Sequence, residues 1–212
     1  MIDAASMRLF AIFSSRFGGD AEPLPEDAIT RLVERARRGD PEARRALYLQ
    51  LVDRVFRTVR GMLQSDEDAE DVTQDALLKV LTSLHRYTPR TDARFATWAT
   101  TIALNTLRRR FRRRRPELTT TGELPEIAAD AIDPTDDLDR ARQRRALLIA
   151  LSELTERERA IVSLRYGAEL NASEIATTLG IESAAVRKTL ERARARLGSR
   201  IETLLRPNGG TI

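Results

Sequence analysis

Residues 171–197 read NASEIATTLGIESAAVRKTLERARARL, and this stretch predicts two helices joined by a tight turn. Asn171 is a favourable helix N-cap, and Glu174, three positions later, can complete a capping box. Gly180 can adopt the positive φ that a short turn between helices requires, and we expect Ser183 to cap the longer helix that follows. A short helix, a glycine turn and a longer basic helix are typical of the helix-turn-helix motif, whose second helix enters the major groove of DNA.

The second helix of this motif carries charged side chains on the surface that its apolar residues leave free. Three of them lie nearest its N-terminal end, where a recognition helix penetrates the groove deepest and meets base edges; these are Arg187, Lys188 and Glu191. Three arginines further along are placed for phosphate contacts, which set register without reading sequence; these are Arg192, Arg194 and Arg196. The alternative interpretation is a basic helix face that is merely solvated.

The rest of the chain is also predicted to be helical. Thr155 and Glu158 have the spacing of a capping box, and Gly167 is expected to end the helix that they begin. In the N-terminal half apolar residues recur at helical spacing and no strand pattern competes. Capping, proline and glycine signals place four helices there, between Pro25 and Gly39, from Pro41 to about Leu63, from about Glu67 to Leu84, and from about Ala93 to Arg115. The fold class is therefore all-α.

Charge falls in blocks along the chain. Residues 108–115 read RRRFRRRR, whereas residues 116–139 contain eight acidic residues, three prolines and no basic residue. Such a stretch cannot bury enough apolar surface to offset its chain entropy, so we interpret it as a flexible linker. Its charge either keeps the protein soluble or imitates nucleic acid in a groove built for it. The predicted organisation is a disordered extension (1–25), a four-helix domain (26–115), the acidic linker (116–139), a helix-turn-helix domain (140–206) and a tail (207–212).

The third predicted helix begins with a cluster of acids, Glu67, Asp68, Glu70 and Asp71. Carboxylates in the first turn of a helix interact favourably with the helix dipole, which is one explanation of the cluster. The other explanation is a docking surface for a basic partner.

The composition excludes several functions. The chain has no cysteine and one histidine, His85, which argues against disulfides, thiolate metal sites and Ser-His-Asp chemistry and fits a reducing compartment. There is no Walker loop, GxGxxG or nucleophile motif, so we predict a non-enzyme without cofactor, metal or small-molecule substrate. The apolar run at 9–13 is too short for a secretory core or a membrane span, which predicts a cytoplasmic protein. For residues 7–17 an amphipathic anchor is the alternative to a disordered leader.

Three N-terminal stretches carry a family resemblance: 35–43 (RARRGDPEA), 68–75 (DAEDVTQD) and 95–105 (FATWATTIALN). They resemble the opening of region two, the DAEDxxQE helix and the FxxW…IAxN promoter-facing helix of bacterial RNA polymerase sigma factors, in the extracytoplasmic-function group. Asp75 stands where the family usually has Glu. Residues 154–197 resemble region four of the same family.

The resemblance implies a protein that binds core RNA polymerase and directs promoter recognition, promoter opening and transcription initiation. Region two docks on the clamp helices of the largest polymerase subunit, which implies four core-binding residues: Asp68, Asp71, Gln74 and Asp75. The loop 86–94 and the next helix would open and read the minus-ten element, through Phe95, Trp98, Asn105, Arg108 and Arg112. For Phe95 and Trp98 the alternative is core packing, which we favour for Trp98.

Region four would place the recognition helix on the minus-thirty-five element while binding the polymerase flap, and the family implies an anti-sigma factor as a further partner. The chain departs from the family at Ala184 and Ala185, which replace the usual Gly-Thr, and at Thr101 and Arg109. The promoter sequence is therefore not transferable from relatives. A stand-alone helix-turn-helix regulator is the alternative function, but it gives no reason for the acidic helix.

Overall fold

The computed structural model describes residues 24–63, 65–89, 94–114 and 138–206, and in these ranges the chain forms helices and no strand. The N-terminal half contributes α1 (Glu26–Arg37), α2 (Pro41–Arg60), α3 (Asp66–Thr82) and α4 (Phe95–Arg114). The C-terminal half contributes α5 (Leu138–Ser152), α6 (Glu156–Tyr166), α7 (Ala172–Leu179) and α8 (Ser183–Leu205). The all-α prediction is confirmed. Nearly all of the predicted extension and linker, and the whole tail, lie outside the described residues.

In the N-terminal half α2 is the central helix and packs against α1, α3 and α4. Asp40 caps α2 as predicted, because its carboxylate accepts the backbone N–H groups of Glu42 and Ala43 at 2.9 and 3.2 Å. The apolar stripes of the four helices meet in one buried cluster. Its largest fully buried side chains include Val33, Leu47, Val55, Val59, Val72, Leu77 and Phe95.

Two helix ends differ from the prediction. Helix α2 ends at Arg60, with Gly61 as its C-cap, and not near Leu63. Helix α3 ends at Thr82, and the chain continues into a single 3-10 turn over Leu84–Arg86. Leu84 is buried although it lies beyond α3. Apolar spacing therefore extends past the helix because the core also accepts side chains from the turn.

In the C-terminal half α8 packs against α5, α6 and α7 around a second buried cluster. Both predicted capping boxes are present, Thr155 with Glu158 and Asn171 with Glu174. Gly180 has φ 67° and ψ 41° at the end of α7, so the turn takes the left-handed conformation that glycine was expected to supply.

The expectation that Ser183 caps α8 is wrong. The N-cap is Glu182, whose backbone is extended and whose side chain makes no capping hydrogen bond. Its carbonyl accepts the N–H of Val186 at 3.1 Å, which brings Ser183 into the first turn of the helix. The Ser183 hydroxyl instead accepts a hydrogen bond from the Arg187 guanidinium at 2.9 Å.

Two glycines of the C-terminal half provide a matched test of the turn. We expect Gly180→Ala to lower the free energy of unfolding by about 1–2 kcal/mol, because a Cβ is unfavourable in the left-handed region. The same substitution at Gly198, inside α8 with no heavy atom within 4 Å of an added Cβ, should raise it by up to about 1 kcal/mol. Urea unfolding followed by circular dichroism measures both. Equal effects at the two positions would contradict the assigned turn.

Candidate nucleic-acid and polymerase interfaces

Helix α8 presents a charged face opposite its buried residues. Arg187, Lys188 and Glu191 are exposed and lie at i, i+1 and i+4, so they share one side near the N-terminal end of the helix. Arg192 is also exposed, and Arg194 is half-buried. The opposite side carries Val186, Leu190, Ala193 and Leu197 into the core. The predicted base-contacting residues are therefore placed together and face solvent.

Arg196 differs from the other arginines predicted to contact phosphate. Its guanidinium donates to both carboxylate oxygens of Glu158 at 3.0 Å and to the carbonyl of Glu153 at 3.1 Å. One turn further along, Arg200 donates to the Glu153 carboxylate at 2.8 Å. In this conformation Arg196 and Arg200 hold α8 against α6 and the turn before it. A phosphate contact by Arg196 would need an exchange of partners.

Helix α3 carries an exposed face that contains two aspartates. Asp71, Gln74, Asp75 and Leu78 are all exposed at i, i+3, i+4 and i+7, and we call them the α3 acidic face. Asp68 is less accessible: Arg110 of α4 donates to its carboxylate at 2.7 Å and to that of Asp71 at 3.1 Å. Three of the four predicted polymerase-binding residues thus lie on one surface, with Asp68 at its edge.

Leu78 is the member of this face that the sequence did not predict. Leu78 is 64% exposed, whereas the adjacent Leu77 is buried. A helix turns by about 100° per residue, so adjacent leucines point in different directions, and here only Leu77 reaches the core. A single exposed leucine is ordinary in a folded protein, but here it adds an apolar contact to a line of acidic side chains.

The residues predicted for the minus-ten element divide into two groups. Asn105 and Arg108 are exposed on α4, one turn apart, and are open to a ligand. The side chain of Arg112, one turn further, lies outside the described residues. Phe95 is only 2% exposed and packs edge-on against Tyr87, with ring centroids 5.0 Å apart.

Trp98 is half-buried and tilted against both of these rings, at 5.3 Å from Tyr87 and 5.6 Å from Phe95. Core packing therefore describes Phe95 fully and Trp98 in part, because the half-buried Trp98 packs against the edge of the same core. Direct base contact by Phe95 is ruled out in this conformation, because the ring is enclosed. Phe95 fixes where α4 begins, which positions Asn105 and Arg108.

A polar cluster that the sequence did not suggest lies between the two halves. Arg94, immediately before α4, donates to both carboxylate oxygens of Glu174 at 3.0 and 3.1 Å, and the Thr97 hydroxyl donates to the same carboxylate at 2.9 Å. Arg54 and Arg57 of α2 each donate to the Glu169 carboxylate at 3.1 Å. We call these six residues the interdomain cluster. No local pattern could reveal it, since its hydrogen-bonded partners are up to 115 residues apart.

Charge and burial in the interdomain cluster affect its protonation. Burial alone raises the pKa of the Glu174 carboxyl, but hydrogen bonds from Arg94, the Asn171 backbone N–H and Thr97 outweigh burial and hold the pKa below its ordinary value of 4.5. The bond to Glu174 in turn raises the pKa of the Arg94 guanidinium. Burial lowers the pKa of Arg54, which Glu169 partly opposes. The Glu174 carboxylate and the Arg94 guanidinium are therefore both ionised at neutral pH.

Comparison with known proteins bears directly on these surfaces. Residues 47–117 match Sigma-70 region 2, and residues 150–198 match Sigma-70, region 4. Together the two matches cover more than half of the chain and include α3, α4 and the helix-turn-helix. The chain belongs to the sigma-70 family. It is an RNA polymerase sigma factor of the extracytoplasmic-function (ECF) group.

Two relatives of this sigma factor are about a third identical to it over the aligned residues. The ECF RNA polymerase sigma factor BldN of Streptomyces coelicolor is 32% identical over 161 residues, which are 76% of this chain and 60% of that protein. The RNA polymerase sigma-E factor of the same organism is 32% identical over 147 residues, 68% of this chain and 78% of its own length. In structure, the sigma factor RpoE of Bartonella quintana, solved in complex with the anti-sigma factor NepR, has the same fold. Its TM-score is 0.58 at 18% identity, with 84% of this chain and 98% of that one covered.

Two features are absent from the described part of this sigma factor. Its helices there include none with the length and hydropathy to cross a bilayer. The same residues contain no group of three or more His, Asp or Glu side chains arranged to hold a metal ion.

The ionised carboxylate of Glu174 contributes to the stability of the fold. Because its folded pKa lies below the unfolded value, its stabilisation is complete above about pH 4.5 and is lost as the pH falls through the folded pKa. Between about pH 5 and pH 3 the free energy of unfolding of the natural protein should therefore fall more steeply than that of Glu174→Gln. Urea unfolding at a series of pH values measures both slopes. Parallel slopes would refute the ionised pair.

Proposed function

We propose that this sigma factor binds core RNA polymerase through the α3 acidic face and brings two promoter-reading helices to DNA, α4 to the minus-ten element and α8 to the minus-thirty-five element. The observation that carries the proposal is the exposure of both a compact acidic face and a basic recognition helix on one chain whose two halves match regions two and four. A protein that only bound DNA would need the second surface and not the first.

The α3 acidic face suits the clamp helices of the largest polymerase subunit if these present basic side chains. Asp71, Gln74 and Asp75 supply acceptors, and Leu78 supplies apolar area between them and the end of the helix. Opposite charges across a protein interface speed association and exclude wrong partners. Asp68 supports this face from its edge, since the Arg110 guanidinium bridges Asp68 to Asp71.

The promoter contacts divide between positioning and reading. On α8, Arg187, Lys188 and Glu191 meet base edges in the major groove, and Arg192 and Arg194 meet phosphates. On α4, Asn105 reads the minus-ten element and Arg108 contacts its backbone. Phe95 and Trp98 hold the start of α4 in place. Extruding a base from the duplex costs roughly a few kcal/mol, which stacking and hydrogen bonding in a pocket must offset.

The rest of the proposal concerns where the protein works and which further partners it binds. The protein catalyses no reaction itself and works in the cytoplasm, where core polymerase and promoter DNA are found. A flap contact by the helix-turn-helix half completes binding to the polymerase. An anti-sigma factor is a further partner, since the structurally similar RpoE of Bartonella quintana was solved with one. Run-off transcription with purified core polymerase on genomic fragments tests the whole proposal, because a stand-alone regulator would bind DNA without starting transcripts.

Charge reversal on the acidic face tests polymerase binding. We expect Asp75→Lys to reduce co-purification with core polymerase at least tenfold, because a cation replaces an acceptor within the interface. Asp75 is preferable to Asp71, whose replacement also breaks the contact with Arg110. Glu34→Lys, an exposed position on α1, is the matched control and should bind as the natural protein does. Equal binding by the two variants would remove this face from the interface.

Truncation of the recognition helix tests promoter reading. Arg187→Ala and Lys188→Ala should each cost about 1–3 kcal/mol in binding to the cognate minus-thirty-five element and relax the base preference at one position. Arg45→Ala, an exposed arginine of α2, should leave the preference unchanged. Selection from a randomised promoter library measures the base preference, and fluorescence anisotropy measures affinity. An unaltered preference in both recognition-helix variants would show that these side chains do not read sequence.

A further inference from the structure

Helix α1 places two oppositely charged side chains on one face, about three turns apart. Glu26 is its first residue and Arg37 its last, so they are separated by about 16 Å along the helix axis. The apolar residues that fix α1 in the core lie between them, and these are Ile29, Val33 and Ala36. Both charged residues precede the match to Sigma-70 region 2, which begins at residue 47. That match therefore assigns them no role.

The Glu26 carboxylate acts at the start of α4. It accepts the backbone N–H of Phe95, the first residue of α4, at 2.6 Å from a position 69 residues earlier in the chain. Arg94, the residue before α4, has a cationic side chain that offers no acceptor for this N–H. A carboxylate at a helix N-terminus also interacts favourably with the helix dipole. Helix α4 therefore begins with a capping group that a different helix supplies.

The Arg37 guanidinium acts where α3 and the 3-10 turn after it come to an end. It donates to the carbonyl of Leu84 at 2.9 Å and to the carbonyl of Tyr87. Tyr87 is the C-cap of the 3-10 turn, and a cation is favourable near the carbonyl end of a helix. Helix α1 thus binds both the residue that ends this turn and the residue that begins α4.

The two residues that α1 binds also touch each other. Tyr87 and Phe95 are 4% and 2% exposed, and their rings pack edge-on with centroids 5.0 Å apart. Burial raises the pKa of the Tyr87 phenol, the Glu26 carboxylate raises it further, and the Arg37 guanidinium opposes this rise. Both charges of α1 therefore act on one aromatic pair, against which the half-buried Trp98 packs.

The placement of α4 matters because its proposed reading residue lies far from its start. Asn105 is ten residues beyond Phe95, which is about 15 Å along the helix. A tilt of about 10° at Phe95 would displace Asn105 by about 3 Å over this length. A hydrogen bond tolerates a change of only about 0.5 Å in the distance between donor and acceptor. A small error at the start of α4 therefore prevents a hydrogen bond between Asn105 and a base.

We propose that Glu26 and Arg37 are positioning residues for the minus-ten element: they fix the start of α4 and the turn before it, and so set where Asn105 meets the promoter. The inference rests on the proposed function for its consequence, whereas the contacts of α1 are properties of the free chain. Residues that read a ligand need supporting hydrogen bonds that hold them within about 0.5 Å of the productive geometry. In this role neither residue needs to touch DNA.

Trp98 reports these contacts in the free protein, because it is the only tryptophan of the chain. Acrylamide, a neutral quencher, should quench Glu26→Ala and Arg37→Ala about twofold more strongly than the natural protein, since a loosened start of α4 opens the ring to solvent. Glu34→Ala and Arg38→Ala are the matched controls, at exposed positions within α1 and directly after it. Equal quenching in the test and control variants overturns the proposal.

Promoter opening distinguishes positioning from a general loss of structure. With core polymerase and a promoter that carries 2-aminopurine in its minus-ten element, Glu26→Ala should open the DNA about tenfold more slowly, the factor that corresponds to one charged hydrogen bond. Its binding to core polymerase and its base preference at the minus-thirty-five element should match those of Glu34→Ala. Glu26→Gln keeps an oxygen that can accept the Phe95 N–H and should restore most of the rate. An equal loss of polymerase binding and of opening overturns the proposal.

A double-mutant cycle tests whether Glu26 acts through Asn105. Glu26→Ala should slow opening much less in an Asn105→Ala background than in the natural protein, because the residue that it positions is already absent. Additive effects of the two substitutions overturn the proposal. A natural protein that opens no promoter would contradict the proposed function, whereas stronger Trp98 quenching in Glu26→Ala would still support the anchoring of α4 by α1.

Milder variants serve if an alanine variant does not fold. Arg37→Lys keeps the cation but loses the planar group that bonds two carbonyls at once, and Arg38→Lys is its control. Glu26→Asp withdraws the carboxylate from Phe95 by one methylene group, and Glu34→Asp is its control. Trp98 should be quenched more strongly in each of these test variants than in its control. Equal quenching within both pairs overturns the proposal.

Discussion

The carboxylate of Glu174 joins two parts of the chain that are 80 residues apart. One oxygen accepts the backbone N–H of Asn171 at 2.8 Å and closes the capping box of α7, and both accept from the Arg94 guanidinium. Water would normally solvate the exposed side of a capping carboxylate. Here a guanidinium and the Thr97 hydroxyl take its place, which compensates the burial of the charge. The helix-turn-helix and the promoter-facing helix α4 therefore share one anionic anchor.

This anchor lies between two hydrophobic clusters that are otherwise largely separate. Each half can keep its own helices packed whether or not the polar contact is made, and a polar contact can exchange its partners for water at modest net cost. Phosphate groups can bind the same cations, because Arg94 and the basic face of α8 are charged hydrogen-bond donors.

Helix α3 shows how one acidic cluster serves two physical roles. Asp66, Glu67 and Asp68 occupy its first turn, where the effect of the helix dipole is concentrated. Asp71, Gln74 and Asp75 lie beyond that turn, so the dipole does not account for them, and they face solvent together with Leu78. The helix dipole thus explains the acids of the first turn, and the later set forms the proposed docking surface.

Local chemistry was sufficient for the helices, for the caps at Asp40, Thr155 and Asn171 and for the turn at Gly180, because these features depend on residues within a few positions of each other. It was not sufficient for α8, whose N-cap is Glu182 and not Ser183. It was sufficient also for the charged face of α8 and for the acids of α3, which follow from helical spacing alone. Only three-dimensional packing placed Phe95 inside the core and turned Leu78 outward. Packing also paired Arg196 with Glu158. It brought Arg54 and Arg57 to Glu169, and Arg94 to Glu174. Those outcomes depend on which distant surfaces meet, and no short-range pattern in the chain encodes that choice.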